Sequence, residues 1–147
     1  MKIVLCTDGS AHSKATVKKF ANRKFTPNTK IRVVCVYEKP SYITRSAPMG
    51  ALAEYNTMID NYSIEAAKSA TENAVAILRK KHPVLSISKV EIEGSPKSSI
   101  IKEAEDFGAD LIVIGSHGNG TVKGFLLGSV SQSVALHAKC SVEIVRI

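Results

Sequence analysis

The chain has no tryptophan, and four Tyr with four Phe make up its 5% aromatic content. That leaves little for the stacked-base platforms on which single-strand nucleic-acid binders rely. Cysteine is scarce and odd in number. Cys6, Cys35 and Cys140 stand far apart in apolar or strand-like stretches, giving neither a disulfide framework nor a CxxC metal pair; buried thiols in a reducing compartment are expected. Long apolar runs are missing too. Ile3 to Cys6 and Leu111 to Ile114 fall far short of the roughly 20 residues that a membrane-spanning helix needs. The opening strand meets Asp8 and Gly9 at once, with no signal-type apolar region, so a cytoplasmic location and no membrane association are expected. His12, His82 and His137 are isolated and lack metal-ligand spacing.

Acidic residues are outnumbered, 13 against 20 Lys and Arg, for a net charge of +7. Several lysines come as pairs, Lys18 with Lys19 and Lys80 with Lys81, at positions that fit solvated helix faces and helix C-termini, where cations meet the negative end of the dipole. A nucleic-acid partner is therefore not expected. A hydrophobic content of 44% over 147 residues suffices for one globular domain, spanning 1–147.

Four Val- and Ile-rich segments read as buried strands: Lys2 to Thr7, Lys30 to Tyr37, Asp110 to Ser116 and Ser141 to Ile147. Their near-continuous apolar runs are those of strands covered on both faces, the state of a parallel sheet. Ser86 to Glu93 alternates less cleanly and reads as an edge strand. Helical spacing separates them. Ser10 or Ser13 can cap a helix that turns Val17, Phe20 and Ala21 inward. A longer helix, roughly Leu52 to Lys81, carries Ile59, Tyr62, Ala66, Ala70, Ala74, Ile77 and Leu78 at three- and four-residue steps. Ser95 and Pro96 open a third helix that buries Ile100, Ile101 and Ala104 and ends at Gly108. The last begins near Gly128 and Ser129, with Val130, Val134 and Ala138 facing inward. Alternating strands and helices predict an α/β fold with a parallel sheet. Glu38 to Gly50, with two prolines, reads as a long loop.

Ligands of open α/β sheets sit beyond the carboxyl ends of the strands. There the chain places Thr7, Asp8, Gly9 and Ser10 after the first strand, and a loop from Gly115 to Gly124 with four glycines after the fourth; a helix follows, opening at Gly128, Ser129, Val130 and Ser131. Glycines admit a phosphate close to the backbone, and a helix N-terminus offers N–H groups and positive potential. The same residues also suit a plain flexible turn. Neither GxxxxGK[ST] nor a first-loop GxGxxG occurs.

Gly115, Gly118, Gly128 and Ser129 fit the pattern G-x2-G-x9-G-[ST], after a strand and before Val130. With Thr7, Asp8, Gly9 and Ser10, the Gly94 to Pro96 turn and the closing Cys140 to Arg146 strand, the chain resembles the universal stress protein family in its ATP-binding type. The resemblance implies a Rossmann-like five-stranded parallel sheet in the order 3-2-1-4-5, helices on both faces, and a homodimer paired through the last strand. It further implies an ATP-binding stress-response or signalling module, with Mg2+ or Mn2+ accompanying the nucleotide and an unidentified protein partner. By position, Thr7 and Asp8 would face the sugar, phosphate or metal region, with Asp8 as the metal-side carboxylate. Val36 would meet adenine; Gly115, Gly118, Gly128, Ser129, Val130 and Ser131 would cradle phosphate and ribose, with His117 inside the motif near a phosphate. No catalytic residue is assigned. An AMP- or cyclic AMP-binding protein, a nucleotide-free adaptor and a slow ATPase stay open beside this reading. Asp8 equally suits a helix cap, Val36 an ordinary strand position and His117 a solvated loop. Cys6 and Ser141 depart from the family, which often has proline or alanine at the first position and proline at the second.

Overall fold

The computed structural model describes residues 1–38, 49–118 and 127–147. The elements run β1 (Lys2–Cys6), α1 (Ala11–Ala21), β2 (Lys30–Tyr37), α2 (Met49–Lys81), β3 (Ser86–Glu93), α3 (Pro96–Phe107), β4 (Leu111–Gly115), α4 (Ser129–His137) and β5 (Ser141–Val145). All four strand pairings are parallel, and the sheet order is β3-β2-β1-β4-β5. The α/β fold with order 3-2-1-4-5 is thus observed.

Alternation along β1 sorts the core into two layers. Ile3 and Leu5 join Val17 and Phe20 of α1 and Ala74, Val75 and Leu78 of α2 on one face. Val4 and Cys6 join Ile100 and Ala104 of α3 and Val134 of α4 on the other. Right-handed crossovers require this division: the chain steps one way from β1 to β3, then crosses β1 and steps the other way through β4 to β5. The reversal lies between β1 and β4, so their carboxyl ends splay apart where no crossover covers them.

Local signals act as expected at five helix ends. Ser10 is the α1 cap, its side chain accepting from Ser13 N at 3.1 Å. Pro96 sits in the first turn of α3, and Gly108 ends that helix at φ 65°, a left-handed conformation that favours glycine. Lys18 and Lys19 close α1, while Arg79, Lys80 and Lys81 close α2. His82 joins these two helix ends, its Nε2 2.8 Å from Ala21 O and its ring edge-on to Phe25.

The long helix departs from expectation. Tyr62 and Ala66 are exposed, and the buried stripe is Ala67, Ala70, Thr71, Ala74, Val75 and Leu78. At about 1.5 Å per residue a 33-residue helix outruns an eight-residue strand. Only its C-terminal part is buried against the sheet, and no residue described from 55 to 66 is buried. Ala138 is the α4 C-cap, half-buried rather than part of the helix. The strand expected to end at Ile147 stops at Val145, leaving Ile147 63% exposed. Most of the expected Glu38 to Gly50 loop lies outside the described residues, and α2 already begins at Met49.

Leu78 is fully buried between α2 and the sheet. Leu78→Ala removes those contacts and leaves a cavity, with an expected loss of about 3 kcal/mol in urea unfolding; a loss below about 1 kcal/mol would contradict this packing.

Candidate functional site

A cavity of about 540 Å³ opens at the carboxyl ends of β1, β2 and β4, beneath the N-terminus of α4. Its volume lies in the range of small-molecule sites. Thr7, Asp8, Val36, Gly115, His117, Gly118, Gly128, Ser129, Val130 and Ser131 all line it. These ten residues, singled out from four separate stretches of sequence, therefore share one concave surface. Gly120, Lys123 and Gly124 lie outside the described residues.

One wall is apolar. Val34 and Val36 at the end of β2, Ile114 on β4, and Pro96 with Ile100 on α3 form it, with Cys6 from β1. Pro96 and Ile100 are one helical turn apart, so the face that packs on the sheet also reaches the cavity. Their helix was legible in the sequence, but spacing alone gave no sign that its first turn borders a ligand-sized space.

The opposite wall is polar and held from below. Gly128 N donates to Ser116 O at 2.7 Å, and the Ser131 hydroxyl shares its one proton between Gly128 O at 2.9 Å and Ser116 O at 3.2 Å. Together they tie the start of α4 to the end of β4. Gln132 N closes the first turn on Gly128 O at 3.0 Å. The N–H groups of Ser129, Val130 and Ser131 precede that bond and have no carbonyl within the helix to accept them. They give this rim a positive potential suited to an anion.

Close approach explains two of the glycines. A Cβ at Gly128 would stand 3.3 Å from Ser116 O, against the backbone that anchors the helix. One at Gly118 would stand 2.5 Å from Asp8 Oδ2, so the Asp8 carboxylate rests directly over that glycine. Asp8 also accepts from Ser10 N at 3.0 Å, a short local turn that aims the carboxylate across the cavity mouth. Thr7 is buried, its Oγ1 3.1 Å from Ser13 Oγ. Ser116 Oγ lies 3.0 Å from His117 Nδ1.

Burial pushes the Cys6 thiol up to about 12, with Cys35 adding to the effect. Burial also pushes Cys35 up to about 11, aided by the charges of Asp8 and Glu91. Cys6 is thus a spacer in the cavity floor rather than a nucleophile. Among the described residues, no group of three His, Cys, Asp or Glu side chains could hold a metal ion.

The universal stress protein family profile matches residues 1–146. Universal stress protein MJ0577 of Methanocaldococcus jannaschii is 33% identical over 97 residues, which cover 65% of this chain and 58% of that protein. The aligned stretch thus spans little more than half the length of that curated relative. The solved structure of MJ0577 superposes with a TM-score of 0.83 at 27% identity, covering 99% of this chain and 95% of the other. A universal stress protein solved in complex with cAMP superposes with a TM-score of 0.59 at 27% identity, covering 99% and 96%.

Alkylation tests the floor of the cavity. At pH 8 a thiol raised to about 12 is thiolate in roughly one molecule in 10⁴. Iodoacetamide on the folded protein should label half-buried Cys140 well before Cys6, as read by peptide mass spectrometry; Cys6 labelling at the rate of a free thiol would contradict its burial.

Proposed function

The chain belongs to the universal stress protein family, and on that premise we propose that it binds an adenine nucleotide, ATP with Mg2+ or Mn2+, in the cavity between β1, β4 and α4. One observation carries this reading. The four signature positions, Gly115, Gly118, Gly128 and Ser129, meet on a single cavity that pairs an apolar wall with a helix N-terminus. Adenine is flat and apolar on its faces and suits the wall formed by Val36, Ile100 and Pro96. Phosphates suit the N–H groups of Ser129, Val130 and Ser131. The relative solved with cAMP supports an adenine ligand and keeps a cyclic or monophosphate nucleotide as the second reading. The divalent ion would rest on the phosphates, with Asp8 as the carboxylate on the protein side, and would neutralise charge between them.

Binding, rather than turnover, is the proposed activity, in a single cytoplasmic domain that answers stress by changing the surface it shows to a protein partner. No described helix is long and apolar enough to cross a membrane. Slow hydrolysis is the enzymatic alternative; it would need Asp8 for the metal, and turnover unchanged in Asp8→Ala would eliminate it.

We further propose a homodimer through β5, which among the described residues ends the sheet with its outer edge unpaired and Ile147 exposed beyond it. Light scattering at micromolar concentration should then give twice the chain mass, and a monomer would refute the pairing.

Gly118→Ala is the direct test of the cradle. The added methyl displaces the Asp8 carboxylate, the end of a flexible side chain, so the fold should change by less than about 1 kcal/mol. ATP–Mg2+ affinity should fall by about tenfold in calorimetry, or about 1.4 kcal/mol. Equal affinity in variant and wild type would remove Gly118 from the site.

A further inference from the structure

Ser13 lines the cavity beside Thr7, although it stands on α1 and outside the glycine pattern. Both residues are buried, and their hydroxyl oxygens lie 3.1 Å apart. Backbone bonds hold each in place: Thr7 N donates to Val34 O at 2.9 Å, and Ser13 N to Ser10 Oγ at 3.1 Å. Two further bonds reach the pair. Ser13 Oγ donates to Ser10 O at 3.1 Å, and Gly9 N donates to Thr7 Oγ1 at 3.3 Å.

A hydroxyl has one proton and two lone pairs, and these contacts fix where both protons go. When Thr7 donates to Ser13 Oγ and Ser13 donates to Ser10 O, each proton has an acceptor. The reverse, Ser13 donating to Thr7, leaves the Thr7 proton with none among the described residues, an unfavourable state for a buried donor. The chain is therefore directional. With both protons engaged inside it, the pair presents lone pairs to the cavity and no proton. The start of α4 presents the opposite, N–H groups that lack acceptors within the helix. One cavity thus has a donating rim on α4 and an accepting corner between β1 and α1. An anionic oxygen matches the rim and is repelled by the lone pairs of the corner.

We propose that Thr7 and Ser13 recognise a neutral hydrogen-bond donor of the nucleoside, a sugar hydroxyl or the base amino group, and that Ser13 is the positioning residue that keeps the Thr7 proton out of the cavity. This rests on the nucleotide reading above and assigns the corner to a part of the ligand other than phosphate.

The test is calorimetric titration of the full chain, stripped of nucleotide, in one Mg2+ buffer. The ligands are ATP, its 2′-deoxy and 3′-deoxy forms, and purine riboside triphosphate, which lacks the amino group. At least one analogue should bind about fivefold more weakly than ATP, the effect of one hydrogen bond, and its identity tells a hydroxyl from the amine. In Ser13→Ala the Thr7 proton loses its acceptor and turns into the cavity, so ATP should weaken and that gap close to less than about twofold. Thr7→Val should close it too, and Ser13→Thr, which keeps a hydroxyl, should reopen it. Equal affinity of the wild type for all four ligands would overturn the corner while leaving the adenine site intact. A gap that survives in Ser13→Ala, with all four ligands weakened alike, is the mark of a structural role and would overturn positioning by Ser13. Binding of none of the four would overturn both readings.

Discussion

The carbonyl of Ser116 is the point on which the candidate site depends. Gly128 N at the start of α4 donates to it at 2.7 Å, the Ser131 hydroxyl divides its proton between it and Gly128 O, and Ser116 N is itself bonded to Val145 O at 2.9 Å. The end of β4, the end of β5 and the start of α4 are thereby fixed to one another. Without that junction, the helix N-terminus would not overhang the gap between β1 and β4. Glycine at 128 leaves room for this junction, since a Cβ there would stand 3.3 Å from the same carbonyl.

The sheet supplies the other half of the geometry. Crossovers that reverse direction between β1 and β4 leave their carboxyl ends uncovered, and β2 adds Val34 and Val36 from the next strand. One wall is consequently apolar and the other is lined by glycine, serine and backbone N–H groups. An amphipathic ligand, flat at one end and anionic at the other, satisfies both walls at once. A purely apolar ligand would leave the N–H groups of α4 without acceptors, and a free phosphate would leave the apolar wall to water.

Much of this was legible in the sequence, for identifiable reasons. The Val- and Ile-rich runs of β1 and β4 could be read because strands covered on both faces must be apolar throughout. Glycine spacing picked out positions that meet at one cavity because a Cβ at Gly128 would crowd the Ser116 carbonyl and one at Gly118 the Asp8 carboxylate. The buried face of α2 was misplaced at Tyr62 and Ala66. Periodicity gives the phase of a helix but not where it leaves the sheet, and Ala67 with Thr71 forms the buried stripe instead. His12 reads as isolated in the sequence, and only the β1–β4 pairing brings His117 near it. Pro96 and Ile100 were read as helix signals; their second role at the cavity depends on how α3 lies across the sheet.

An amide 1H–15N spectrum of the labelled protein, recorded as ATP–Mg2+ is added, would locate the nucleotide on the chain. Binding in the cavity should give saturating shifts concentrated at Val36, Gly115, Gly118 and Ser129 to Ser131, with the far ends of the strands unmoved. Shifts clustered away from those residues, or a spectrum unchanged at millimolar nucleotide, would contradict it.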